Sequence, residues 1–147
     1  MSKVTALYHI VFCTKQRRMV IPKEYQRELY MFLYSEIART KCKVLRIGGI
    51  ANHVHILLNL HPEVALAKLI QTVKGGSSAW MGRDPRFGLF QGWAAGYYGC
   101  TVSPHEKDAV IEYIKSQELH HGSCELDKEL IKMYKFADLE YDERDLR

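Results

Sequence analysis

Two strand-like runs separated by only two residues constrain this chain most. Lys43 to Ile50 (KVLRIGGI) and His53 to Leu60 (HVHILLNL) leave Ala51-Asn52 between them, a gap that suits a tight antiparallel hairpin. The rest of the chain must be arranged around that pair. Leu7 to Thr14 (LYHIVFCT) is aromatic and β-branched on both faces, which predicts a central strand covered on each side. After Pro22, a good first-turn helix residue, Tyr25, Leu29, Phe32, Leu33 and Ile37 recur at helical spacing to about Thr40. Val64, Leu66, Leu69, Ile70 and Val73 predict a second helix running to about Met81, weakened by Gly75-Gly76. Gly48 and Gly49 mark a candidate bulge in the hairpin.

Trp93 to Val102 reads as a fourth, glycine-punctuated strand, with Tyr97 and Tyr98 as its packing residues. Ser103, Pro104 and Glu106 then form a capping-box signature for a third helix, through Ile111, Ile114 and Leu119 to Gly122. The order β-α-β-β-α-β followed by a helix is an α+β, ferredoxin-like (RRM-like) sandwich with an added C-terminal helix. The tail from Glu125 carries eight acids against five bases and predicts a short helix and an extended end. At 147 residues the chain suits one domain spanning 1–147.

Composition excludes several function classes. The uncharged stretch Phe87 to His105 is broken by Gly88, Gly92, Gly96, Gly99 and Pro104, so it predicts no membrane span. The N-terminus shows no secretion signal, and Cys13, Cys42, Cys100 and Cys124 show no Cys-x-x-Cys spacing, which predicts reduced thiols in a cytoplasmic protein. Residues 1–60 carry ten Lys or Arg against three Glu, a net of +7, while residues 61–147 carry eleven against fourteen acids, a net of −3. A basic front half fits a polyanion binder and fits equally a solvated charged face.

His53 and His55 flank Val54, so strand alternation sends both imidazoles to one sheet face, where they can share a metal ion. Such a spacing arises by chance in about one chain in three of this composition, and strand histidines bonded to their neighbours are the commoner outcome. Tyr113 and Gln117 lie at i and i+4 on the third helix, so a phenol and an amide oxygen can meet one ligand. A phenol needs a nearby cation or base to act as a nucleophile at neutral pH. By itself, a helical tyrosine more commonly buries its ring in the core.

Together these residues resemble the HUH single-tyrosine transposases of the smallest bacterial and archaeal insertion sequences. The resemblance runs from YHIVFCTKQRR through NHVHILL, LIQTVKGGSSAW and QGWAAGYYGCTVS to AVIEYIKSQELHH and LEYDERDLR, in that order. It implies that His53, His55 and Gln117 bind a divalent cation, Mg²⁺ or Mn²⁺, and that Tyr113 is the nucleophile. It implies a homodimer on a ferredoxin-like core, in which the tyrosine helix of one subunit can complete the site of the other. The substrate implied is single-stranded DNA, recognised through hairpins at element ends and cleaved by transesterification to a 5′-phosphotyrosine and a free 3′-hydroxyl. No nucleotide cofactor is needed, in keeping with the absence of a P-loop motif. Asn52 stands where the family often has Asp, and Phe12 where it often has Trp.

Lys15, Arg17 and Arg18 in the turn after the first strand, and Lys74 near the end of the second helix, are candidate phosphate contacts. Each is also an ordinary position for a surface charge. Trp80 and Trp93 suit core packing or base stacking. His9 neighbours the metal strand and can support a ligand or stay buried and satisfied, and His120 and His121 close the tyrosine helix. Two other readings share these features. One is a non-catalytic RNA-binding module of RRM type, although strand three carries histidines in place of an RNP1 run. The other is a small zinc hydrolase built on His53, His55 and a third histidine such as His120.

Overall fold

The computed structural model describes residues 1–117 and 125–146. Its elements run β1 (Leu7–Cys13), α1 (Gln26–Ala38), β2 (Lys43–Ile50), β3 (His53–Asn59), α2 (Leu66–Gly82), β4 (Tyr98–Val102), α3 (Lys107–Lys115) and α4 (Glu125–Phe136). The strands form one antiparallel sheet in the order β2-β3-β1-β4, the split βαβ arrangement expected of a ferredoxin-like α+β domain.

Strand alternation divides the sheet into two faces of different chemistry. Ile10 and Phe12 of β1 and Val54, Ile56 and Leu58 of β3 meet Leu29, Leu33 and Ile37 of α1 and Leu69, Ile70 and Val73 of α2 in the main core. The opposite face carries His9, Val11, His53 and His55. It is covered by α3 over β2 and β3, and by α4, whose Leu126, Leu130 and Met133 pack on Val11 and Tyr98. A central strand buried on both faces is what the unbroken apolar run of β1 predicts.

Several boundaries differ from the sequence expectation for identifiable reasons. Strand β4 begins at Tyr98, because Gly92 and Gly96 take φ of 108° and 79°, outside strand geometry. Trp93 keeps only an isolated bridge to Thr14. Of the two tyrosines expected to pack, Tyr98 is buried, while Tyr97 is 40% exposed. Pro22 precedes a 3₁₀ turn, Lys23–Tyr25, and the α-helix starts at Gln26. Helix α2 continues through Gly75 and Gly76, since Val73 and Ser77 on either side are buried and hold it down. The β2 irregularity falls between Val44 and Arg46, and not at the glycines. Ser103 Oγ bonds the Glu106 carboxylate at 3.0 Å, so the two side chains of the expected capping box bond each other. Helix α3 ends at Lys115, where the Ser116 amide and hydroxyl both turn back to the Tyr113 carbonyl. The expected continuation to Leu119 and Gly122, together with His120 and His121, lies outside the described residues.

Candidate metal and tyrosine site

The site is built where β3 and α3 meet. Gly48 of β2 pairs with His55 across the hairpin, and a Cβ there would lie 2.7 Å from the Ile114 carbonyl oxygen. Only a glycine lets α3 approach the sheet this closely. That approach brings Tyr113 and Gln117, one turn apart, over the two histidines, which are themselves fully buried.

Gln117 Oε1 lies 2.8 Å from His53 Nε2, and the Gln117 amide nitrogen donates to the Glu129 carboxylate at 3.2 Å. His53 Nδ1 lies 2.8 Å from Asn52 Oδ1, whose own amide nitrogen points to the Arg17 carbonyl. A carbonyl oxygen can only accept, so Asn52 places the His53 proton on Nδ1 and leaves the Nε2 lone pair aimed into the site. On the other side His9 Nε2 meets His55 Nδ1 at 2.8 Å, with the two rings stacked 5.1 Å apart. Burial and the neighbouring His55 hold His9 down to about 3, so it is neutral at ordinary pH.

Sequence reasoning missed Glu129 of α4. Its carboxylate accepts from the Tyr113 hydroxyl and lies 3.2 Å from His55 Nε2 and 3.9 Å from His53 Nε2. Burial pushes the Glu129 carboxyl up, but the adjacent His55 and the Tyr113 hydroxyl outweigh it and bring it down to about 2. Tyr113 moves the other way: burial, then the hydrogen bond and negative charge of Glu129, hold its phenol well above the ordinary tyrosine range. The one available signal for Glu129 was its place beside the stripe Leu126, Leu130 and Met133, which turns it toward the protein.

Among the described residues, ligand atoms of His53, His55 and Glu129 all lie within 4.8 Å of one another. His55 Nε2 is buried with no hydrogen-bond partner, and the accepting lone pair of His53 Nε2 faces the accepting oxygen of Gln117. Acceptors converging on one point fit a cation between them.

The basic residues meet different fates. Lys15 is exposed, and Arg18 is exposed with its guanidinium on Gln91 Oε1 at 3.0 Å. Arg17 is turned onto Asp127 of α4 and the Asp145 carbonyl, from a turn in which Gln16 and Arg17 take positive φ of 58° and 55°. Lys74 donates to the carbonyls of Ala94 and Gly96 at 2.7 and 2.8 Å, which secures the loop before β4. Both tryptophans pack inside: Trp80 stacks on Phe32, and Trp93 meets Phe12 and donates to Ser77.

Known proteins resemble this chain over most of its length. The family described as "Transposase IS200 like" matches residues 2–117. The ISDra2 transposase TnpA of Deinococcus radiodurans is 29% identical over 115 residues, covering 75% of this chain and 82% of the relative. The transposase of insertion sequence IS200 from Salmonella typhimurium is 30% identical over 115 residues, covering 75% of each. A crystal structure of a Deinococcus radiodurans protein superposes with a TM-score of 0.61 at 24% identity over 80% of this chain and 95% of that one. A REP-associated tyrosine transposase bound to a REP hairpin gives a TM-score of 0.61 at 13% identity, covering 84% and 76%. With its family match covering all of the tyrosine and histidine elements, this chain belongs to the IS200-like transposases.

Proposed function

We propose that this transposase cleaves and rejoins single-stranded DNA at insertion-sequence ends by metal-dependent transesterification, with Tyr113 as nucleophile. The observation that carries the reading is the convergence of the Tyr113 hydroxyl, the Gln117 amide and the inward nitrogens of His53 and His55 on one buried point. Tyr113 Oη forms the new bond to phosphorus, and the bond to the 3′-oxygen breaks with its electron pair staying on oxygen. The phenol proton lost is matched by the one the departing oxygen takes up, so the step is neutral in protons and conserves ester bonds. His53, His55 and Gln117 would hold a divalent cation, Mg²⁺ or Mn²⁺, which when bound polarises the phosphodiester and offsets charge on its oxygens. Asn52 and His9 orient the two imidazoles. A cavity of about 330 Å³, lined in part by Tyr98, Tyr113, Glu129 and Phe136, gives the phenol open space on one side.

The hairpin bound by the REP-associated transposase supports a DNA hairpin as the recognised substrate here. Lys15 and Arg18 are exposed in the turn after β1 and are the proposed phosphate contacts, whereas Arg17 and Lys74 are turned onto the protein. The assembly we propose is a homodimer in which each protomer completes its own site. An RRM-type module uses its open sheet face as the binding platform, whereas here α3 and α4 cover that face.

The test is a denaturing gel of the protein with Mn²⁺ and labelled single-stranded DNA spanning its element's ends. A protease-sensitive adduct that needs Mn²⁺, Tyr113 and His55 is expected. Tight binding with no adduct under Mn²⁺ or Mg²⁺ overturns the reading.

A further inference from the structure

We propose that Glu129 is a carboxylate ligand of the divalent cation held by His53 and His55, supplied by a helix that lies beyond the family-matched residues 2–117. The inference rests on the metal-dependent reading of that site and deepens it.

The geometry is specific. Helix α4 is seated by Leu126, Leu130 and Met133 on the sheet and pinned at its first turn by Asp127 on Arg17. Its carboxylate is therefore delivered by a packed element, and it is 11% exposed. One carboxylate oxygen lies 3.2 Å from His55 Nε2 and the other 3.9 Å from His53 Nε2, so the carboxylate faces the same point as both imidazoles. His55 Nε2 supplies the independent sign. This nitrogen is fully buried, has no well-aligned hydrogen-bond partner and lies 3.2 Å from the Glu129 carboxylate, a separation that two ligands of one ion would share.

Donor chemistry agrees. His53, His55 and Gln117 are all neutral donors, and two imidazoles with an amide oxygen leave the ion's double charge uncompensated. Adding one carboxylate produces a two-histidine, one-carboxylate set, which binds first-row divalent ions while leaving positions open for substrate oxygens. The hard oxygen also shifts the site toward Mg²⁺ and Mn²⁺. Because the Tyr113 hydroxyl bonds the same carboxylate, ligation by Glu129 fixes the nucleophile next to the ion.

The experiment is Mn²⁺ binding to the DNA-free, chelator-stripped full chain, with free Mn²⁺ read by electron paramagnetic resonance. Wild type is compared with Glu129→Gln, Gln117→Ala and His55→Ala. Glu129→Gln keeps the side chain's size and is expected to weaken Mn²⁺ at least tenfold, and His55→Ala is expected to abolish binding. The carboxylate stretch in infrared difference spectra of wild type, with and without Mn²⁺, gives a second readout that needs no variant. A shifted band is expected, which imidazole and amide ligands cannot produce. Glu129→Gln binding Mn²⁺ within twofold of wild type, or an unshifted carboxylate band, overturns the proposal. If the Tyr113-dependent adduct persists in that case, the transposase reading stands. If wild type neither binds Mn²⁺ nor forms the adduct, both fall.

Discussion

The orientation of His53 depends on a single amide. Asn52 Oδ1 accepts from His53 Nδ1 and so presents the Nε2 lone pair to the site. Asn52→Ala should weaken Mn²⁺ binding about tenfold or more while leaving the fold intact, as loss of a ligand's outer hydrogen-bond partner commonly does. Isothermal titration against Mn²⁺ checks this, and unchanged affinity contradicts it. Cys13 provides a pH test of the packing on the histidine face, because burial pushes its thiol up to about 11. A thiol whose folded pKa is raised stabilises the fold below the unfolded value. That contribution is lost as pH rises from about 9 toward 11, since the unfolded chain ionises first. Iodoacetamide at about pH 7.5 should leave Cys13 unmodified in the folded protein and label it after denaturation, as peptide mass spectrometry reads directly. At this scale the sequence was most informative where chemistry follows periodicity. Two-residue spacing put His53 and His55 on one face, and four-residue spacing stacked Tyr113 over Gln117. Glu129 obeys no such spacing relative to them, since it reaches the site across a helix packing that only tertiary structure defines.

Helix α3 is placed by what β2 lacks. A side chain at Gly48 would enter the space of the Ile114 backbone, so Gly48→Val must lift α3 from the sheet and carry Tyr113 and Gln117 away from the histidines. We expect adduct formation to fall at least tenfold, with a stability loss of about 1–3 kcal/mol from overpacking. Thermal melts and the adduct gel separate the two effects, and a variant with wild-type adduct yield would show that α3 needs no such close seat. The strands of the hairpin and both helices of the main core were legible in the sequence, because each carries an unbroken apolar period. The start of β4 was not, since Trp93 to Tyr97 has strand-like composition while Gly92 and Gly96 turn the backbone to positive φ. A glycine's φ is set by its surroundings and leaves no mark in composition. The close seat of α3 on Gly48 was hidden for the same reason: the glycine suggested a bulge, and served a helix instead.

The molecule as a whole is three layers, with α1 and α2 on one face of the sheet and α3 and α4 on the other. The ferredoxin-like order of the first six elements followed from the sequence, and the second helical layer followed only in part, as a short acidic helix of unstated place. The acidity is now accounted for at two positions, Asp127 on Arg17 and Glu129 at the histidines. Among the described residues no helix is long and apolar enough to cross a membrane. Because His53, His55, Tyr113 and Gln117 meet within one chain, mixing Tyr113→Phe with His55→Ala protein should restore no adduct. Restoration would mean that α3 is exchanged between protomers.

The most direct test of the central claim is the attachment site of the DNA. After reaction with single-stranded element ends and Mn²⁺, the adduct is digested with trypsin and nuclease and sequenced by mass spectrometry. The account predicts a nucleotide joined through its 5′-phosphate to Tyr113. A nucleotide on any other tyrosine, or cleaved DNA with no peptide attached, would contradict it.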